Sequence, residues 1–349
     1  TWDKPGYRDT VMTPDDSIRY YKSFFRAAFM AIEPGTGNVK AYVGGPDYRY
    51  FKYDNVRQGR RQVGSTVKPF IYTLAMESGM TPCDPVQNSP VVIVVNGDQT
   101  WTPQDTHADG TMVDLTWGLS HSSNSVAAYL MKQLGPAAMV SMMRNMGISG
   151  YIDPVASLCV GSADLSVYDM VTAYNTFPSG GTYTYPIFVT RIEDSDGNIL
   201  GQFRGRKREA LSQRVTGAMI QMMRSVVDSG TGIRLRLKYG IKGEVAGKTG
   251  TTNDNSDGWF IGYTPTITAG VWVGAEDRYV HFANNSLGQG ANMALPIWGL
   301  WMQKVVKDGT LGISASDVFP ESLKGNYCTS GANGDAAPEK TDLENYYFE

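Results

Sequence analysis

Histidine and cysteine are scarce in this sequence, with three of each in 349 residues. His107, His121 and His281 do not stand in HExxH or another metal-binding spacing, which argues against a zinc site and a histidine-based triad. Cys83, Cys159 and Cys328 are widely spaced and odd in number. They offer no CxxC pair and no disulfide framework, and they leave at least one thiol unpaired. No apolar run reaches the roughly 18 residues of a membrane span, and Thr1 opens no signal peptide. The chain therefore reads as cytosolic or as a piece of something longer. Charge of one sign is also missing: the net charge is −3 and the pI about 5.7, which argues against nucleic acid or a polybasic membrane contact.

A second absence concerns Gly247-Lys248-Thr249, which resembles the end of a phosphate-binding loop. Such a loop needs a glycine five residues before the Gly of Gly-Lys-Thr. Lys242 stands there, and Gly243 is one residue too close. The loop must also run straight into a helix whose N-terminus faces the anion. Here Thr251 to Gly258 is turn-forming, and Trp259-Phe260-Ile261-Gly262-Tyr263 reads as a strand. Lys248 thus belongs to a strand–loop–strand unit and to a different kind of site.

With 42% hydrophobic residues the chain can bury a substantial core. Residues 27–32 and 39–45 read as a hairpin around Glu33-Pro34-Gly35-Thr36-Gly37-Asn38. Ser65 is placed to cap a helix that carries Lys68 one turn on. The pattern is helical and Met-rich over 113–146 with a break at Gly135-Pro136, helical again over 163–176, and amphipathic over 209–227. Extended structure with a turn at Asp196-Gly197 is expected over 183–200. Strands follow at 246–250, 258–263 and 266–273, then a last helix at 297–306. Strands at both ends with helices between them predict an α+β fold: a central, mainly antiparallel sheet covered by helices, with an inserted helical subdomain. The site should lie where the two meet.

Three short motifs occur in order: Ser65-Thr66-Val67-Lys68, Ser122-Ser123-Asn124 and Lys248-Thr249-Gly250. Each is weak alone. Their order, with SxxK opening a helix and KTG on a strand, matches the signature of serine acyltransferases that react with penicillin. A serine hydroxyl is a poor nucleophile until a base takes its proton. Residues i and i+3 share a helix face, so Lys68 can reach the Ser65 hydroxyl. An ammonium is no base, so Lys68 must have its pKa lowered toward about 7–8 by burial and a second cation, for which Lys248 is placed.

Residues 60–70 and 247–265, with Gly230-Thr231-Gly232 and Gly270-Val271-Trp272-Val273-Gly274, are similar to the transpeptidase domain of class A, high-molecular-mass penicillin-binding proteins. The resemblance covers roughly 25–306. It implies Ser65 as nucleophile, Lys68 as base, Ser122 as proton relay to the departing amine, and Asn124 as a hydrogen-bond partner of the substrate amide and of Lys68. It implies that Lys248, Thr249 and Thr251 bind the terminal carboxylate of a D-Ala-D-Ala stem peptide, with Gly250 in the same strand. The backbone N–H groups of Ser65 and Thr251 would form the oxyanion hole. Partners implied are peptidoglycan stem peptides as donor and amine acceptor, and β-lactam antibiotics. No metal or organic cofactor is implied. The domain would span 25–320, after a linker at 1–24 and before a disordered tail at 321–349, to whose closing Glu344–Glu349 no function is assigned. The full-length protein would carry a membrane anchor and a glycosyltransferase domain ahead of this C-terminal half, at the extracytoplasmic, periplasmic face of the cell membrane.

Other readings share the triplet. A D,D-carboxypeptidase lets water attack the acyl-enzyme. A β-lactamase needs a deacylating base, and no Glu-x-x-Leu-Asn stretch supplies one. A β-lactam sensor domain would acylate once and signal. Among neighbouring residues, Ser123 reads as a helix start, His121 as an exposed neighbour, and Trp259 and Phe260 as core strand. Arg57, Arg60 and Arg61 read as a solvated loop face, and Met142, Met143, Met222 and Met223 as core filler.

Overall fold

A computed structural model describes residues 9–329 of the chain. Its centre is a five-stranded sheet in the order Ala246–Thr251, Asp257–Tyr263, Thr268–Ala275, Phe25–Ile32, Val39–Val43. Every neighbouring pair is antiparallel. The expected fold class is therefore the observed one, and the two ends of the chain meet where Phe25–Ile32 pairs with Thr268–Ala275.

Strand side chains alternate between faces, and the three inner strands Phe25–Ile32, Asp257–Tyr263 and Thr268–Ala275 are largely apolar on both because both faces are covered. Ala28, Met30, Ile32, Trp259, Ile261 and Tyr263 join a core with the helices Lys68–Glu77, Asn124–Leu134, Val167–Tyr174 and Gln213–Asp228. Phe29, Ala31, Phe260, Val271 and Val273 face the opposite way, onto Trp298 and Met302 of the helix Gly290–Lys307. Trp259 and Phe260 are core strand residues as expected, one on each face. The four methionines singled out from the sequence are buried core residues too.

The Met-rich stretch divides into Leu115–Ser120, Asn124–Leu134 and Pro136–Asn145, broken as expected at Gly135. The last helix starts at Gly290, well before the expected 297, and accommodates Pro296 inside it. The expected linker contains a helix, Pro14–Lys22, capped by the Thr13 hydroxyl and burying no residue. The turn at Asp196-Gly197 joins the hairpin Arg191–Glu193 and Ile199–Gln202.

Two expectations are corrected. Cys83 and Cys328 form a disulfide across a sequence separation of 245, while Cys159 is free and buried. Spacing along the chain excluded a local framework but says nothing about residues brought together by the fold. The domain also continues beyond 320: Leu323 and Tyr327 are buried against the helix Gln213–Asp228, where a Cβ on Gly217 would strike the Tyr327 ring. Of the expected tail, 330–349 lies outside the described residues.

A disulfide closing so long a loop constrains the unfolded chain strongly, by about 2–4 kcal/mol in typical cases. Non-reducing peptide mapping should therefore recover a Cys83–Cys328 cross-linked peptide, and Cys328→Ser should lower the unfolding midpoint in denaturant. A wild-type map with both thiols free to alkylate would contradict the pairing.

Candidate active site

The turn that carries Ser65 is set by glycine. Gly64 has φ +51°, and a Cβ there would lie 2.5 Å from the Thr251 carbonyl oxygen, so only glycine lets the turn press against the KTG strand. The Gly64 N–H donates to the Gly161 carbonyl and the Val63 N–H to Ala163. The Thr66 carbonyl accepts from the buried Tyr174 hydroxyl at 2.5 Å. Ser65 does not cap the helix, contrary to expectation. It sits inside a 3₁₀ turn, Gly64–Val67, which runs directly into Lys68–Glu77, and the Thr66 hydroxyl donates back to Val63 to begin the turn. The Ser65 hydroxyl therefore makes no hydrogen bond among the described residues, while Pro69 takes a first-turn position where no N–H is missed.

Lys68 and Lys248 are both fully buried and converge on Ser122. Lys68 Nζ donates to the Ser122 hydroxyl at 3.2 Å, to Asn124 Oδ1 at 2.6 Å, and to the Ser122 carbonyl. Lys248 Nζ donates to the same hydroxyl at 3.0 Å and to the Thr249 carbonyl at 3.2 Å. Ser122 presents both its oxygens to Lys68 with φ +61°, a left-handed conformation that non-glycine residues adopt rarely and that clusters at functional sites. No hydrogen bond joins Lys68 to Ser65 in this state.

Burial pushes Lys68 down to about 8, against the opposing pull of Cys159 and Asp105. Burial drives Lys248 well below an ordinary lysine as well, with repulsion from Lys68 second. The repulsion is mutual, so each buried lysine lowers the other, with burial the larger cause for both.

Three expected residues shape the wall. Thr249 shares a 2.7 Å hydroxyl–hydroxyl bond with Thr231, and the Thr231 N–H donates to the Ser120 carbonyl, tying the Gly230-Thr231-Gly232 stretch to the SxN turn. The Thr251 hydroxyl accepts from the Gly290 N–H at 3.0 Å, which leaves its own proton free to donate. Gly250 lies against the turn, where a Cβ would meet the Val63 carbonyl at 2.8 Å.

Residues that no motif marked hold the middle element. Ser123 caps Asn124–Leu134 by accepting from the Val126 N–H, as a helix start should. Its hydroxyl proton is shared between two acceptors, Asn88 Oδ1 and Asp105 Oδ2, each 2.9 Å from the oxygen. Asp105 also accepts from the Ser125 N–H at 2.8 Å, and its half-buried carboxyl, raised by burial, is held on balance below the usual range by the Ser125 and His107 amides and the Ser123 hydroxyl. The Asn124 amide donates to the Gln104 carbonyl at 2.8 Å, which turns its oxygen toward Lys68. These contacts come from a loop 20 residues away in sequence, so spacing could not reveal them. His121 is exposed and stacks on Trp117, 4.3 Å between ring centres.

The chain matches the family model for the penicillin-binding protein transpeptidase domain over residues 27–277. It belongs to that family. The transpeptidase-domain assignment agrees with curated relatives: penicillin-binding protein 1A of Aquifex aeolicus is 33% identical over 286 residues, covering 80% of this chain and 38% of the relative. The protein of that name from Rickettsia prowazekii is 32% identical over 328 residues, covering 85% and 40%. The chain thus spans about two fifths of the curated relatives it matches. Among solved structures, penicillin-binding protein 1A of Haemophilus influenzae has a TM-score of 0.76 at 23% identity, covering 81% of this chain and 48% of that one. PonA1 of Mycobacterium tuberculosis gives 0.73 at 23%, covering 93% and 87%. At such identities these establish the transpeptidase fold.

The buried lysines make stability depend on pH with a defined sign. Lys68 keeps a pKa of about 8 in the folded state against an ordinary value of 10.5, so between those values the unfolded chain binds more protons and stability rises with pH. Relative to Lys68→Met, the wild-type protein should gain thermal stability as pH rises from about 8 to 10. A constant difference in melting temperature across that window would contradict the depressed pKa.

Proposed function

We propose that this chain is a peptidoglycan D,D-transpeptidase working through an acyl-enzyme on Ser65. The observation that carries the reading is the Ser122 hydroxyl shared at 3.2 and 3.0 Å by two buried lysines, one turn from an unbonded serine. Only a neutral amine can accept the Ser65 proton, and burial favours that form of Lys68. Ser65 Oγ attacks the penultimate D-Ala carbonyl and its proton passes to Lys68. The C–N bond then breaks, and the terminal D-Ala leaves as an amine that takes the proton back through Ser122. Attack by the amine of a second stem peptide on the Ser65 ester forms the cross-link and frees the serine.

The amides of Ser65 and Thr251 stabilise the tetrahedral oxyanion, where one donor is worth about 100–1000-fold in rate. Lys248, Thr249 and Thr251 receive the terminal carboxylate. Lys248 lies on Ala246–Thr251, the edge strand of the sheet, whose free side can pair with an extended peptide. β-Lactams would acylate Ser65 at the same place, and a structure of PonA1 in complex with penicillin V shows that chemistry's ligand on this fold.

A β-lactamase needs a base free to activate water, and a carboxylate beside the lysines would be one candidate. Asp105, whose charge reaches Lys68, is occupied by Ser123, Ser125 and His107, which favours a long-lived ester. We place the activity at the extracytoplasmic face of the membrane in a longer protein; among the described residues no helix is long and apolar enough to cross a membrane.

Intact-mass spectrometry after incubation with a penicillin should show one drug mass added, persistent over hours and absent in Ser65→Ala. Rapid return to the unmodified mass with hydrolysed drug would point to a lactamase, and an adduct surviving in Ser65→Ala would displace Ser65. With Lys68 as base, the second-order acylation rate should climb roughly tenfold per pH unit and level off near pH 8, the value to which burial brings Lys68. A flat profile between pH 6 and 9 would contradict that role.

A further inference from the structure

One buried ion pair stands behind the site without touching it. Asp257 is fully buried, and its Oδ1 accepts from Arg61 Nε at 2.6 Å and from Trp272 Nε1 at 2.8 Å. Its Oδ2 accepts from the Ser256 hydroxyl at 3.0 Å. The Arg61 guanidinium lies over the Trp272 ring, 5.0 Å from its centre, and Nη1 donates to the Glu276 carbonyl at 3.2 Å. This corrects the reading of Arg61 as a solvated loop residue; Arg60 and Arg57 are also engaged, with Asp169 and the Tyr168 ring.

The two partners sit at matching places in the chain. Arg61 precedes Ser65 by four residues, at the start of the strand piece that becomes the Gly64–Val67 turn. Asp257 closes the loop that leaves Thr251: its N–H donates to the Thr252 hydroxyl at 2.9 Å and its carbonyl accepts from the Thr252 N–H at 3.2 Å. Between them, Trp259 Nε1 donates to the Gln62 carbonyl at 2.9 Å, and Gly64 rests on the Thr251 carbonyl. Three contacts in a row therefore set the segment 61–64 against the segment 251–259.

We propose that Arg61 and Asp257 are positioning residues that fix the separation of the Ser65 and Thr251 amides, and so the geometry of the oxyanion hole. The inference rests on the Ser65 acyl-enzyme reading. Neither side chain meets substrate. Each holds one of the two amide-bearing segments, and the ion pair spans the seam between them. The guanidinium suits this task because Nε holds Asp257 while Nη1 holds the Glu276 carbonyl, so its direction is constrained as well as its distance. Displacing either amide by a fraction of an ångström weakens hydrogen bonds to the transition-state oxyanion more than it weakens ground-state binding.

The test separates binding from chemistry. Stopped-flow acylation by a fluorescent penicillin gives the dissociation constant of the first complex and the acylation rate constant for the wild-type protein, Arg61→Lys, Arg61→Gln and Asp257→Asn. Variants are admitted once they show a wild-type far-ultraviolet spectrum. Arg61 reaches the surface at 14% side-chain exposure, so its two variants decide the matter if Asp257→Asn does not fold. The acylation rate constant should fall about 10–100-fold in Arg61→Gln and less in Arg61→Lys, with the dissociation constant within about threefold of wild type. The double variant Arg61→Gln/Asp257→Asn should be no slower than the slower single one, because both break the same contact. Infrared spectra of the acyl-enzyme should show the ester carbonyl band moving to higher wavenumber in the variants, as hydrogen bonds from the two amides loosen. Folded variants with wild-type rates and an unmoved carbonyl band would overturn this inference alone. Failure of the wild-type protein to acylate at Ser65 would overturn the acyl-enzyme reading beneath it.

Discussion

Two ammonium groups in one dry place are the constraint around which this molecule is arranged. Taking a single charge out of water costs several kcal/mol even after relaxation, and a second like charge nearby adds repulsion that low dielectric does not screen. Lys68 and Lys248 are both fully buried and share the Ser122 hydroxyl. The fold answers with acceptors: a carbonyl, a hydroxyl and an amide oxygen around Lys68, a hydroxyl and a carbonyl around Lys248. Asp105 adds a negative charge behind them. Because these acceptors are fewer and weaker than water, burial brings Lys68 down to about 8, within reach of the neutral amine that the proposed proton abstraction requires.

The acceptors come from parts of the chain far apart in sequence, so the surrounding packing exists to hold three segments in register. Ser122 must adopt a left-handed backbone to aim both oxygens at Lys68. Such strain persists only where neighbours over-determine it. They do so from both sides. Leu115–Ser120 ends two residues before Ser122, and Ser123 immediately after it is held by the Val126 N–H, Asn88 and Asp105. Gly230 approaches the Ser120 carbonyl so closely that a Cβ would lie 2.2 Å away, and Thr231 carries the tie on to Thr249 in the strand. The SxN turn is thereby fixed to the KTG strand by a route that does not pass through either lysine.

The sequence was legible where a residue type has few uses. The turn residues at 33–38 and the apolar run Trp259–Tyr263 marked the sheet, and the ordered SxxK, SxN and KTG motifs picked out Lys68, Ser122, Asn124 and Lys248, which the structure joins by hydrogen bonds. What stayed hidden shares a physical cause: it depends on partners distant in sequence. Arg61 looks solvated beside Arg57 and Arg60 until Asp257 is found 196 residues away. Asp105 and Gln104 carry no signature because a backbone carbonyl and a carboxylate can orient Asn124 and Ser123 from any loop that passes. The Cys83–Cys328 bridge stayed hidden because spacing speaks only about local rings, whereas this bridge links the loop after the Ser65 helix to a C-terminal segment packed on Gln213–Asp228. Ser65 as a helix cap was a sound local inference, overridden when the Thr66 hydroxyl and the 3₁₀ turn took up that work.

That last substitution matters for chemistry. A capping serine would accept a backbone N–H and hold its hydroxyl against its own helix, lowering the electron density available for attack. By starting the turn at Gly64, before Ser65, the fold leaves Ser65 half-buried with its hydroxyl uncommitted. The same economy would favour a durable ester in the proposed acyl-enzyme. Asp105 is the carboxylate whose charge reaches Lys68, and its oxygens are occupied in holding Ser123 and Ser125. Releasing it to activate water would free the cap of Asn124–Leu134 and with it the orientation of Asn124 toward Lys68. Hydrolytic turnover would therefore have to be gained at the expense of the acceptor geometry that makes the two lysines tolerable.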